Sequence, residues 1–330
     1  MLSLTNKRIL VTGGAGFVGC NLVKALVEKY GADVYVIDDL FTGSLDNLKE
    51  IDYEFIHGSI EDDKLVEKAV KGMDIVFHLA SRNIILSNTN PREDLNVNVK
   101  GSFNVFEACK KHRVARVVYT STSSVYGEPE TMPLREEDQK SFLNFYSASK
   151  YSAEVYAKTF FKVFHLPVTI IRYSNVYGPH QSPENPYCGV IGKFIAAALA
   201  NKPLKIYGDG SQTRDYTYVD DAVSATIAAA IHPEAVGDDY NIGTGCETSV
   251  NQLAHSILKI TESRSTIEHV NNRDIDNISR RSISINKAIN DLSYQPRYSI
   301  AEGLKKTVNW FKKSAETATL GLIVGSTVFI

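Results

Sequence analysis

The sequence predicts an α/β protein built on a doubly wound parallel sheet, and three observations predict it. Short apolar runs alternate with amphipathic helical segments through the first half of the chain. The first run, Arg8-Ile-Leu-Val-Thr12, breaks into Gly13-Gly-Ala-Gly16-Phe17-Val18-Gly19 and passes straight into a helix. The second run ends in Asp38-Asp39, where an open parallel sheet offers the carboxyl ends of its strands to a ligand.

The glycine turn comes first. Its G-x-x-G-x-x-G spacing lets the backbone turn tightly, approach a pyrophosphate and present free N–H groups at a helix start. Phe17, Cys20, Leu22, Val23, Leu26 and Val27 give that helix an apolar stripe, and Gly31 supplies its stop. The strand Asp33–Ile37 follows. At its end a carboxylate on Asp38, with Asp39 beside it, can accept hydrogen bonds from ribose hydroxyls and would repel a 2′-phosphate, which favours NAD over NADP. Tyr53–His57, a helix through Lys64–Val70 and the apolar run Ile75–Ala80 continue the alternation. A longer helical segment, from about Arg92 to Lys111, leads into the strand Arg116–Ser121.

That strand runs into Thr120-Ser-Thr122-Ser-Ser-Val-Tyr126-Gly127, and a later helix carries Tyr146-Ser-Ala-Ser-Lys150. Four-residue spacing puts Tyr146 and Lys150 on one helical face. Bringing a phenol from a pKa near ~10 to ~7 takes about 4 kcal/mol of phenolate stabilisation. One ammonium at ~4 Å, at an effective dielectric of ~20, supplies about that much. Lys150 is therefore expected to make Tyr146 a base at neutral pH, with a cationic nicotinamide nearby and Thr122 sharing the substrate's proton.

Composition excludes other classes. The chain has 330 residues, is 43% hydrophobic and 22% charged, and carries a net charge of −2. No basic footprint for nucleic acid or an anionic membrane is visible. Cys20, Cys109, Cys188 and Cys246 are scattered without a C-x-x-C, which argues against a disulfide framework or a zinc site and fits the cytoplasm. The first strand begins too near Met1 to leave room for a signal peptide. Residues 317–330 are uncharged, but fourteen helical residues reach ~21 Å against a hydrocarbon core of ~30 Å, so no membrane span is expected. A docked tail or an added edge strand is the expectation there.

Together these motifs resemble the extended short-chain dehydrogenase/reductases, and among them the NAD-dependent nucleotide-sugar epimerases and dehydratases, from Arg8 to about Trp310. The resemblance implies a Rossmann-type NAD-binding domain over 1–175, with returns near 213–242. It implies a smaller, discontinuous α/β domain for the nucleotide sugar, mainly 176–316, followed by the apolar tail 317–330. The cofactor motif falls on Gly13, Gly16, Phe17, Val18, Gly19, Asp38 and Asp39, with Ser59 and Ile60 at the adenine. His78-Leu79-Ala80 and Asn98-Val-Lys-Gly101 resemble the segments along the cofactor. Tyr146, Lys150 and Thr122 resemble the active-site residues, and Arg172-Tyr173-Ser-Asn175-Val-Tyr-Gly-Pro179 the R-x-x-N-x-Y-G-P run, with Tyr173 near the nicotinamide.

For the substrate, the resemblance implies Thr122 and Val190, Asn175 at the sugar diphosphate, Tyr207 along the base, and Arg214 and Arg273 at phosphate. Arg214 also has a physical case, because guanidinium pairs bidentately with phosphate; its alternative is a surface ion pair with Asp215. Arg281 falls where these epimerases gate the space beside the sugar; it would crowd an N-acetyl group, pair with a uronic acid carboxylate, or face solvent. Ser59 stands where the family usually has Asp.

The family's 4,6-dehydratases carry Asp-Glu after the Thr and its decarboxylases Ser-Glu, whereas here Ser123 and Ser124 follow. Expelling water needs a proton donor there, so the sequence favours 4-epimerisation of a UDP-glucose/UDP-galactose type through a 4-keto intermediate. The alternatives are a UDP-glucuronate or UDP-N-acetylhexosamine 4-epimerase, a dehydratase or reductase, and, more remotely, a non-catalytic NAD-binding regulator. A homodimer is expected from the resemblance alone.

Overall fold

The alternation read from the sequence is present in a computed structural model that describes residues 1–181, 189–272 and 278–325, with side chains up to residue 314. In chain order the strands are β1 (Arg8–Thr12), β2 (Asp33–Asp38), β3 (Glu54–His57), β4 (Ile75–His78), β5 (Arg116–Thr122), β6 (Val168–Tyr173), β7 (Asn175–Tyr177), β8 (Leu204–Tyr207), β9 (Thr213–Arg214), β10 (Tyr216–Tyr218), β11 (Asp239–Ile242), β12 (Thr248–Ser249), β13 (Ile267–Val270) and β14 (Arg280–Arg281). The helices are α1 (Phe17–Glu28), α2 (Asp63–Val70), α3 (Ile84–Thr89), α4 (Pro91–Asp94), α5 (Ser102–Lys111), α6 (Phe145–Phe164), α7 (Val190–Leu199), α8 (Val219–Ile231), α9 (Val250–Thr261), α10 (Asn286–Leu292) and α11 (Ile300–Gly325).

The large sheet runs β11-β6-β5-β4-β1-β2-β3, with every ladder parallel. Strands covered on both faces need continuous apolar runs rather than alternation, and β4 is buried throughout its length. Leu22 and Leu26 of α1 with Ala225 and Ala229 of α8 pack one face. Val66 of α2, Val105 of α5 and Ala157 and Phe160 of α6 pack the other. Strand order reverses between β1 and β4, so a crevice opens at their carboxyl ends, and this is the Rossmann-type arrangement.

After Asn175 the chain alternates between two regions. Helix α8 and β11 return to the large sheet, while α7 and α9 pack together beside the β8–β13 pair.

Two elements depart from the expected outline. The helical segment over 92–111 widens into a π-helical stretch, Leu95–Gly101, between α4 and α5. Within it Asn98 turns its amide away toward Arg82 and Asp94, and its carbonyl accepts from Ser102 Oγ at 2.7 Å. The edge strand considered for the tail is overturned through residue 325, because α11 continues from Ile300 to Gly325. Ala315, Glu316, Ala318 and Leu320 are good helix formers and supply the physical reason. Among the described residues no helix is long and apolar enough to cross a membrane.

Candidate active site

The crevice is built first from the glycine turn. Gly13 has φ +70°, and a Cβ on Gly19 would lie 2.1 Å from the Gly13 carbonyl oxygen, so the helix can start this close to β1 only with glycine there. Helix α1 opens on Gly16 without a side-chain cap and has no acid in its first turn, which holds Phe17 and Val18. Its first N–H groups and positive dipole end are left for an anion.

Asp38 closes the turn from the side. Its Oδ2 accepts from the Ala15 N–H at 3.0 Å and its Oδ1 from the Leu40 N–H at 2.8 Å. Burial nevertheless pushes its carboxyl above the usual range. On the opposite side the N–H groups of Leu79 and Ala80 both donate to Thr12 Oγ1 at 3.1 Å, and Ala80 lies against Gly13.

The remaining cofactor candidates are more engaged with protein. Asn98 is buried, accepting from the Arg82 N–H at 2.7 Å and donating to the Arg82 carbonyl at 3.1 Å and Asp94 Oδ1 at 2.6 Å. It therefore holds the segment after β4 in place. Asp39 is ion-paired with Arg82. Ser59 Oγ accepts from the Glu61 N–H, and Ile60 is buried against Gly101. A bare helix start, a glycine turn that admits no Cβ and a buried acid at the end of β2 fit a dinucleotide.

The proton-transfer residues meet beside this crevice. Thr122 ends β5 in register with Tyr173 on β6, and its Oγ1 accepts from the Ser124 N–H at 3.1 Å. Asn144 caps α6 by accepting from the Ser147 N–H at 2.9 Å, which sets Tyr146 in the first turn and Lys150 one turn on. The Tyr146 phenol lies within hydrogen-bonding reach of the Thr122 hydroxyl. The Tyr173 hydroxyl pairs with Thr226 Oγ1 at 2.5 Å.

The expected lowering of Tyr146 by Lys150 is not found. Burial pushes the phenol up to about 12, outweighing the Thr122 hydrogen bond, and the Asp94 carboxylate adds to the rise. The Lys150 ammonium sits 4.5 Å from the centre of the Tyr119 ring instead. Burial drives Lys150 itself down to about 7, against the raising influence of Glu154 and Asp94. A desolvated amine and a desolvated phenol both favour their neutral forms, so helical spacing alone does not create a base.

A cavity of about 980 Å³ has a lining that includes Asn175, Val190, Tyr207 and Arg214. Four of the predicted substrate residues thus line one space, although they come from β7, α7, β8 and β9. Arg273 lies outside the described residues. The surface pair considered for Arg214 is excluded: Arg214 is buried, its Nη1 donating to the carbonyls of Thr213 and Ile278 at 2.8 Å. Asp215 turns elsewhere and accepts from Thr244 and Gly245. Arg281 is also buried, in register with Arg214, which removes its solvent-facing alternative.

Sequence reasoning missed Asp94, Ser149, Arg82 and Glu154. Ser149 Oγ donates to Asp94 Oδ1 at 3.0 Å behind Tyr146. Glu154 accepts from Arg172 Nη2 at 2.6 Å, and Arg172 Nη1 also reaches Asp239 at 2.6 Å. Glu154 lies four residues beyond Lys150 on the same helix, and that spacing was the available signal. A second cavity, of about 710 Å³, borders this charge network, and its Lys158 and Arg172 are both held by Asp239.

A dinucleotide crevice of Rossmann type and a Thr/Tyr/Lys cluster define the class, an enzyme with a bound nicotinamide cofactor. The chain belongs to the NAD dependent epimerase/dehydratase family, whose model matches residues 9–243, and its cofactor is NAD. It is 35% identical to a UDP-glucose 4-epimerase from Mycolicibacterium smegmatis over 94% of this chain and 100% of the relative. It is equally 35% identical to the human dTDP-D-glucose 4,6-dehydratase, over 93% of this chain and 91% of the relative. An epimerase structure from the thermophilic pseudomurein-containing methanogen Methanothermobacter thermautotrophicus superposes with TM-score 0.92 at 37% identity, covering 95% of this chain and 94% of that one.

Proposed function

We propose that the protein is a nucleotide-sugar 4-epimerase of the UDP-glucose/UDP-galactose type. The observation that carries this reading is the Thr122–Tyr146 pair followed by Ser123 and Ser124, which puts hydroxyls where elimination of water would need an acid. The similarity to named epimerases supports it, and the similarity to a dehydratase is why the serines decide.

Gly13, Gly16, Phe17, Val18, Gly19 and Asp38 hold the pyrophosphate and ribose in this reading, with Leu79, Ala80, Lys150 and Tyr173 along the rest of the cofactor. When bound, NAD supplies the hydride acceptor and a positive charge beside the phenol. With that charge favouring its phenolate, Tyr146 takes the proton of the sugar's C4 hydroxyl, with Thr122 sharing it. Arg214 and Asn175 hold the diphosphate while the 4-keto sugar turns its other face, and Tyr146 then returns the proton to the inverted alcohol. Tyr207 and Val190 line the path of the base and the sugar. The chain's contribution is positioning and proton handling.

Domain limits at about 175 and 316 follow the same reading. A homodimer belongs to it as well. Val155, Tyr156 and Val163 of α6 are exposed, and so is Leu95. These apolar side chains form a stripe suited to a second copy.

The test is incubation of the purified protein with UDP-, GDP- and dTDP-sugars, following the anomeric protons by NMR. Interconversion of UDP-glucose and UDP-galactose without net NADH is expected. A 4-keto-6-deoxy product or accumulating NADH would replace epimerisation with dehydration or reduction.

A further inference from the structure

An ion pair crosses the mouth of the glycine turn, and the proton chemistry leaves it without a role. Arg82 follows β4 and Asp39 follows β2, and β1 lies between those strands in the sheet. A contact between the two therefore passes over the carboxyl end of β1, where Gly13 begins the turn. Arg82 Nη2 donates to Asp39 Oδ2 at 2.7 Å and Nε to Glu93 Oε1 at 2.7 Å. The guanidinium also lies 4.2 Å from the centre of the Phe41 ring. The Arg82 side chain is only 10% exposed, so solvent screens these contacts weakly.

Both banks are anchored independently of the ion pair. Asn98 grips the Arg82 backbone at its N–H and its carbonyl. On the other side Asp38 is tied to Ala15, and the Ala15 carbonyl accepts from the Ser44 N–H at 3.1 Å and Asn47 Nδ2 at 2.9 Å. Two fixed banks joined by one pair of long side chains make a fastening that opens by side-chain rotation alone.

We propose that Arg82 and Asp39 form a clasp over the dinucleotide crevice that slows the release of NAD. The proposal rests on the assignment of Gly13–Gly19 and Asp38 to the cofactor. A hydride lent and recovered within one turnover requires a cofactor that stays through many turnovers, and a barrier on its exit meets that requirement without tightening its contacts.

The test measures NADH release by stopped-flow fluorescence, chasing the loaded protein with excess ADP-ribose. Arg82→Met, Asp39→Asn and the double variant are compared with the wild type, with thermal melts of the cofactor-free proteins to establish folding. Each single variant is expected to release NADH about tenfold faster, the factor set by about 1.4 kcal/mol of charge-assisted contact. The double variant should release no faster than the singles, because they break the same link. Equal release rates from folded wild type and variants, or effects that add in the double variant, overturn the clasp alone. A folded wild type that holds no NADH overturns the cofactor assignment, and the clasp with it.

Discussion

Tyr146 and Lys150 show how far burial moves a side chain's chemistry. The sequence placed them correctly on one helical face, yet in the structure the phenol rises to about 12 and the amine falls to about 7, because desolvation acts on both and the spacing rule contains no burial. Tyr146→Phe is expected to lose turnover by at least ~100-fold, the lower bound for a positioned proton-transfer group, while still binding NADH. Lys150 also makes a stability prediction. The unfolded chain protonates this lysine up to about pH 10, whereas the folded cofactor-free chain releases its proton from about pH 7 upward. Folding therefore releases a proton between those limits, and stability should rise with pH across them. Urea melts of the cofactor-free protein should show that rise, and Lys150→Met should flatten it. The glycines were legible as a motif, although sterics divide them differently. Gly14 stands outside the G-x-x-G-x-x-G spacing, yet a Cβ there would come 2.8 Å from Val36, while at Gly16 the nearest atom would be 3.3 Å away.

At the scale of elements, the alternation of runs gave β1 to β5 of the large sheet but neither β6 nor β11, because a strand buried on both faces writes itself as a continuous apolar run and the last two were not read as such. The π-helical Leu95–Gly101 was not legible, since its cause is a tertiary contact, the pairing of Asn98 with the Arg82 backbone. That contact predicts that Asn98→Leu leaves the Arg82 N–H and carbonyl without partners and costs about 2–3 kcal/mol of stability. Chemical denaturation measures the loss. NADH affinity should fall with it, because the segment that lies against Gly13 is no longer held. The cavity was legible only residue by residue: Asn175, Val190, Tyr207 and Arg214 had to be drawn from the family resemblance, as no periodicity links positions on four separate elements.

For the whole molecule, the order of strands decides where the ligands go, and the chain returns to the large sheet with α8 and β11 only after building β8 and α7 elsewhere. Sequence patterning could not show that return, because long-range pairing of β11 with β6 leaves no local trace. The exposed stripe on α6 makes a prediction at this scale. Val155→Glu with Val163→Glu should convert a dimer to a monomer in light scattering, since two buried charges without partners outweigh the apolar contact they replace. A wild type that is itself monomeric would remove the stripe's proposed role.

Helix α6 has a consequence of its own. Its twenty residues make a rod of ~30 Å with the proton-transfer pair at the start, the Glu154–Arg172 charge pair midway and the apolar stripe along its outer side. Assembly and chemistry in such a dimer share one stiff part. A small molecule wedged into the seam between two copies would shift that rod in both, so it would inhibit without resembling either the sugar or the cofactor.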